Sequence, residues 1–151
     1  MKKLIVSFAL MVITLASYAQ VYKMYSTRNY HNQLRLNTMT GEVQQIQDDG
    51  QSWIICSARE ISGDKESRFC LYETQNMWTF ILLDSYNGRL WQVQYSTQDL
   101  DNLFCIPINK DELGSDNEKC IFSIQPLTSM YQYYLINDRT GDMWKFQWST
   151  K

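Results

Sequence analysis

Residues 82–96 read LLDSYNGRLWQVQYS, and a phrase of the same shape occurs twice more in the chain. Its centre, Asp84 to Gly88, has the form [Asp/Asn]-x-x-[Thr/Asn]-Gly. The short acid or amide can bond the turn's own amides, and the glycine supplies a positive φ that closes a hairpin. Before the turn, Trp78, Phe80 and Leu82 alternate with Thr79, Ile81 and Leu83. After it, Trp91, Val93 and Tyr95 share one face. Both runs have the period of two and the aromatic and branched composition of strands.

Shifting the chain against itself by 47 residues lays 23–47 on 70–94 without a gap. Tyr25 then meets Tyr72, Thr27 meets Thr74, Asn29 meets Asn76, Leu36 meets Leu83 and Gly41 meets Gly88. A third copy, 120–149, fits after a three-residue insertion placed near Pro126, with Asn137 on Asp84, Gly141 on Gly88 and Trp144 on Trp91. Earlier strands such as Phe69–Thr74, and later ones at Trp53–Ser57 and Phe104–Ile108, make about four strands per copy. The last copy stops before its fourth. No segment has helical periodicity, so the expected class is all-β and antiparallel, with repeats near 21–66, 67–116 and 117–151. Three four-stranded units suit a β-trefoil as first choice. The alternative is a small propeller-like arrangement of three meanders, although natural propellers use four blades or more.

The first nineteen residues have another purpose. Lys2 and Lys3 precede an apolar run from Leu4 to Leu15, and Ser17-Tyr18-Ala19 is a small-x-small cleavage site. This is the pattern of a secretory signal peptide, too short for a comfortable membrane span. Cleavage would leave a single domain, 20–151, in the periplasm or outside the cell. The first cysteine, Cys56, is far from the cleavage point, so no lipid anchor is expected there. Without Lys2 and Lys3 the 14 basic residues fall to 12, against 16 acidic ones, a net charge of −4. No basic stripe interrupts the scattered charges, which disfavours nucleic acid as a partner. Aromatics at 14% with two prolines argue for a packed core.

Four cysteines, Cys56, Cys70, Cys105 and Cys120, allow three pairings. The repeat alignment matches Cys56 with Cys105 and Cys70 with Cys120, and each junction between copies is flanked by two of them. That picks out Cys56–Cys70 and Cys105–Cys120 as two equivalent hairpin bridges, formed in an oxidising compartment. Metal binding is the rival reading, but neither a Cys-x-x-Cys spacing nor a nearby histidine supports it.

Catalytic constellations are hard to find. The single histidine, His31, stands where the other copies have Trp78 and Tyr131, and reads better as a packed ring than as a base. Asp111, Glu112, Asp116 and Glu118 cluster without EF-hand spacing, as in a solvated loop. Asp48 and Asp49 are sequence neighbours and would point to opposite faces of a strand, unlike the paired carboxylates of a glycosidase. No phosphate-binding loop, cofactor motif or metal site is expected. Glutamines recur instead: Gln47, Gln94 and Gln147 share one position, and Gln45 and Gln92 another two residues earlier. If the tryptophan face lines the core, Gln92, Gln94 and Gln147 lie outermost, and amides beside aromatics are the groups a sugar surface uses.

The phrases RFCLYETQNMWTFILLDSYNGRLWQVQYS and GDMWKFQWSTK resemble a motif of small secreted bacterial proteins of Bacteroides type. In that family an Arg-Phe-x-Leu-Tyr strand precedes an Asn-Met-Trp…Gly-x-x-Trp-Gln-Val-Gln-Trp-Ser hairpin. The resemblance implies secretion and a repeat architecture, and brings no activity with it. The first copy departs from the motif, with His31, Arg35 and Gln44 at hydrophobic positions. The expectation is a non-catalytic envelope module that binds a protein or glycan. The alternatives are a small hydrolase working through carboxylates and a purely structural envelope protein.

Overall fold

A computed structural model describes residues 20–114 and 121–149; the expected signal peptide, Cys120, Asp116 and Glu118 lie outside them. Eleven strands occupy the described residues. They are β1 (Tyr22–Ser26), β2 (Asn32–Asn37), β3 (Val43–Gln47), β4 (Ser52–Cys56), β5 (Phe69–Glu73), β6 (Thr79–Asp84), β7 (Leu90–Gln94), β8 (Phe104–Pro107), β9 (Phe122–Pro126), β10 (Gln132–Asn137) and β11 (Met143–Gln147). One helical turn, α1 (Ala58–Ile61), and a 3-10 turn at Leu100–Asn102 complete them.

The strands form three separate antiparallel meanders: β1-β2-β3-β4 (sheet 1), β5-β6-β7-β8 (sheet 2) and β9-β10-β11 (sheet 3). The all-β, three-unit expectation therefore stands, and the trefoil does not. A trefoil needs strands from all three units to share one barrel, whereas here each unit's strands bond only within their own sheet, as three meanders would. Register also moves the third copy's insertion. Phe122 pairs with Asn137 as Phe69 pairs with Asp84 and Tyr22 with Asn37. The extra residues thus precede Ile121, not Pro126, and the residue matching Cys70 is Ser123 rather than Cys120.

The three tight hairpins share one turn. Gly41, Gly88 and Gly141 have φ of 77°, 75° and 78°. Each donates its amide to the carbonyl of Asn37, Asp84 or Asn137, at 2.9, 2.9 and 2.8 Å. The side chains of those residues accept from the turn's next amides, Met39 and Thr40, Tyr86, or Arg139 and Thr140.

Sheet 2 lies between the other two, and its hydrophobic run is continuous because both its faces are covered. Phe80, Leu82, Trp91 and Val93 pack on Leu34, Leu36 and Val43 of sheet 1. On the other face, Ile81, Leu83 and Leu90 pack on Phe122, Tyr133 and Leu135 of sheet 3. The stacking also runs through the backbone. The Phe69 amide donates to Thr38 O at 2.9 Å, and the matching Phe122 amide donates to Ser85 O at 3.1 Å.

The bridge seen is Cys56–Cys105, with Cα atoms 5.3 Å apart. This overturns the expected Cys56–Cys70 and Cys105–Cys120 pairs. The bridge joins the fourth strands of sheets 1 and 2 across their interface, instead of closing the junction between them. Cys70 pairs with Leu83 across β5 and β6, so its side chain is on the face turned toward sheet 3.

One charge pair is sealed inside sheet 2. Arg68 donates through Nε and Nη2 to Asp84 Oδ2 at 2.8 and 2.7 Å, with side chains only 6% and 2% exposed. The other sheets have Val21 and Ile121 in place of Arg68, and Asn37 and Asn137 in place of Asp84.

Non-reducing peptide mapping should find Cys56–Cys105 and, as the one pairing left, Cys70–Cys120. Replacing both Cys56 and Cys105 by alanine should cost about 2–4 kcal/mol in denaturant unfolding. Asp84→Asn should cost about 3–5 kcal/mol because it removes the carboxylate from a buried guanidinium. The double change Arg68→Val, Asp84→Asn copies sheet 1 and should recover most of that loss.

Candidate functional site

The two ends of the stack differ. One carries the glycine hairpins and the links between sheets. The other carries the first turn of each sheet and the third-to-fourth strand connections, and the larger depressions open there. One, about 540 Å³, is lined by Trp78, Gln94, Tyr95, Ser96, Thr97, Gln98, Asp99 and Asn102. A neighbour of about 460 Å³ adds Asn29, His31, Asn32, Gln47, Asp48 and Asp49, and shares Thr97 and Gln98 as a common wall. Together they form one polar cleft running from sheet 1 to sheet 2.

The common wall is the loop 95–103 between β7 and β8. In sheet 1 the same connection needs only residues 48–51. The longer loop is ordered by its own polar groups. The Asp99 carboxylate accepts from the Asp101 amide at 2.9 Å and from Asn102 Nδ2 at 3.2 Å. Ser96 Oγ accepts from the Asp99 amide at 3.3 Å, and the Leu103 amide reaches Leu100 O at 3.0 Å. The loop's root is fixed from the neighbouring sheet. Gln45 Nε2 donates to Ser96 O at 2.7 Å and to Asn32 Oδ1 at 2.7 Å, while its Oε1 accepts from the Ser96 amide at 3.3 Å. Trp78 stands against Tyr95, ring centroids 5.3 Å apart, and forms the cleft's aromatic side. Burial pushes the Tyr95 hydroxyl above its ordinary pKa, and at 1% exposure Tyr95 supports Trp78 from within the core.

The glutamine reading divides. Gln92 is 1% exposed, so it is not presented to a ligand. Its Oε1 accepts from the Ser149 amide at 3.3 Å, the counterpart between sheets 2 and 3 of the Gln45–Ser96 contact. Its Nε2 has no partner among the described residues. Gln94 lines the cleft and donates to Asn102 O at 3.4 Å. Gln147 is exposed on β11, outside the cleft, and accepts from Gln132. The expected outermost amide face is thus broken up, because sheet 2 has no outer face.

His31 and Asp48 meet at 3.0 Å between Nδ1 and Oδ2, both side chains 59% exposed. They occupy the positions of the aromatic pairs Trp78–Tyr95 and Tyr131–Trp148. The pair orients the ring, but no Ser, Thr or Cys side chain is bonded to it among the described residues. Asp111 and Glu112 are exposed, and Glu112 accepts from Asn87 at 3.3 Å. Among the described residues no group of three potential metal ligands converges, and no helix is long and apolar enough to cross a membrane. The sequence reading missed Gln98, Thr97 and Asn102. The signal that would have found them was the length of the 95–103 loop against the short turn at 48–51.

No protein-family model matches the chain, and neither a curated protein nor a solved structure is significantly similar to it.

If the recurrent glutamine is an intersheet clip, Gln45→Ala should cost about 1–3 kcal/mol, since Ser96 and Asn32 lose a buried partner. The same variant should raise amide exchange in the 95–103 loop. An exchange pattern unchanged at Ser96 would remove that role.

Proposed function

We propose that the chain is an exported, non-catalytic binding module that takes a polar, glycan-type ligand in the cleft beside the 95–103 loop. The observation that carries this reading is the loop itself. The fold can connect third and fourth strands with a short turn, as at 48–51, yet sheet 2 has a longer, internally bonded loop pinned to sheet 1 at Ser96. Extra chain held in one conformation by a rigid scaffold is typical of a recognition loop, and pre-ordering lowers the entropy lost on binding.

The lining chemistry supports a hydroxyl-rich ligand. Trp78 offers part of a ring face for a pyranose, Gln94, Gln98 and Asn102 can both donate and accept, and Asp99 adds an acceptor. The Cys56–Cys105 bridge suits an oxidising compartment, in keeping with periplasmic or extracellular placement.

A glycan array probed with the chain from Gln20 onward tests the proposal. Gln94→Ala and Gln98→Ala should each weaken a detected ligand about tenfold, the loss of one or two ligand hydrogen bonds, with melting unchanged. Gln147→Ala should leave affinity as it was. Full affinity in the two cleft variants would place the site elsewhere.

A further inference from the structure

The two internal junctions are built alike, and each has a forward and a backward face. At the forward face, Leu34, Leu36 and Val43 of sheet 1, or Ile81, Leu83 and Leu90 of sheet 2, meet the next sheet. Beside them Gln45 and Gln92 reach forward to Ser96 and Ser149. Among the described residues, sheet 3 has the same face with no sheet on it. Register places Tyr134, Ile136 and Met143 at the apolar positions and Lys145 at the glutamine position, since Lys145 pairs with Tyr134 as Gln45 pairs with Leu34 and Gln92 with Ile81.

Sheet 1 likewise has a backward face that no other described sheet covers. Tyr22 and Met24 lie opposite Asn37 and Arg35, and Ile54 opposite Gln44, all turned away from Leu34, Leu36 and Val43. The serine position here is Asp49, because the Asp48 amide bonds His31 O as the Tyr95 amide bonds Trp78 O and the Trp148 amide bonds Tyr131 O. Six large hydrophobic side chains are exposed among the described residues. Four of them, Tyr22, Met24, Ile54 and Met143, are on these two end faces and are 48% to 60% exposed. The open space above Gly141 fits the same pattern, since Gly41 and Gly88 are covered by Phe69 and Phe122 of the following sheet.

We propose that a second copy of this chain docks head to tail, sheet 3 of one copy on sheet 1 of the other, and that two copies close a ring of six sheets. The argument is continuity with the two internal junctions, together with charge. Where those junctions place an amide on a serine backbone, the third places Lys145 beside Asp49, with Asp48 adjacent. Tyr22 would cover Gly141 as Phe69 covers Gly41. A front face that fits a different back face on the same chain either closes or grows without end, and a ring of six sheets, here four of four strands and two of three, matches the blade count of natural closed rings. His31, Gln33, Arg35, Gln44 and Asp48 make the back face more polar than its internal counterparts. Each copy therefore folds alone, and the pairing is reversible and salt-sensitive. This inference does not rest on the ligand reading, although Asp48 and Asp49 also line the sheet 1 part of the cleft.

Sedimentation equilibrium on the chain from Gln20, over a range of concentrations, should fit a monomer–dimer equilibrium. Lys145→Glu and Asp49→Lys should each weaken pairing about tenfold, since both junctions of the ring are affected by one exposed charge reversal. The double charge swap should restore it. Melting of the Lys145→Glu monomer should be unchanged, while Asp49→Lys also gives up the bonds its carboxylate accepts from Gln51. Carbodiimide cross-linking should join Lys145 of one copy to Asp48 or Asp49 of the other. A monomer at every concentration overturns the proposal. So do open-ended growth, a dimer indifferent to the charge swap, or cross-links between two copies of sheet 3.

Discussion

Burial of sheet 2 on both faces is the constraint from which the rest of the structure follows. A single four-stranded meander has two faces and can bury neither by itself. Stacking three of them covers four faces out of six, and both faces of the middle sheet are among those four. This is why β6 and β7 contain an almost unbroken apolar run, and why Thr79, Asp84 and Gln92 are sealed with it. Sealed polar groups then call for partners. Within sheet 2 Arg68 holds Asp84. Between sheets the register is set by Gln45, which holds Ser96, and by the hairpin carbonyls of Thr38 and Ser85, which hold the first amides of the next sheet.

The same constraint explains the unusual first copy. Its polar residues His31, Arg35 and Gln44 stand where sheets 2 and 3 place Trp78, Leu82 and Trp91, or Tyr131, Leu135 and Trp144. Sheet 1 has no sheet behind it, so those positions meet water. The His31–Asp48 pair replaces an aromatic contact for that reason, which keeps this face wettable in a lone copy. Its resemblance to a catalytic dyad therefore comes from position in the stack. The polar cleft has a different origin, since it depends on a loop longer than the fold requires.

The disulfide shows how an equivalence read along the chain can mislead. Cys56 pairs in register with Val43, on the face of sheet 1 turned toward sheet 2, whereas Cys105 pairs with Val93, the counterpart of Ile46, whose own partner is Ser52. Register therefore matches Cys105 with Ser52, and the expected match of Cys56 with Cys105 does not hold. The two cysteines point in opposite directions from adjacent sheets, so they meet across the interface and the bridge joins them there.

Local features were legible from the residues alone, because each depends on a few neighbouring atoms. The Asn37, Asp84 and Asn137 turns, the positive φ of their glycines and the period-two strands are of this kind. So is the all-β class, and so is the count of three meanders with the last one short a strand. What only the tertiary structure decided was which faces meet. Period-two alternation sorts side chains into two faces but does not say that both are covered, so Gln92 read as an outward amide when it is an inward one. Strand count does not say whether units share a barrel or stack as layers, and so the trefoil could not be told from three meanders. The pairing of Cys56 with Cys105 and the pinning of Ser96 by Gln45 join residues distant along the chain. They are set by the order of the layers, a long-range property that no short stretch of sequence carries.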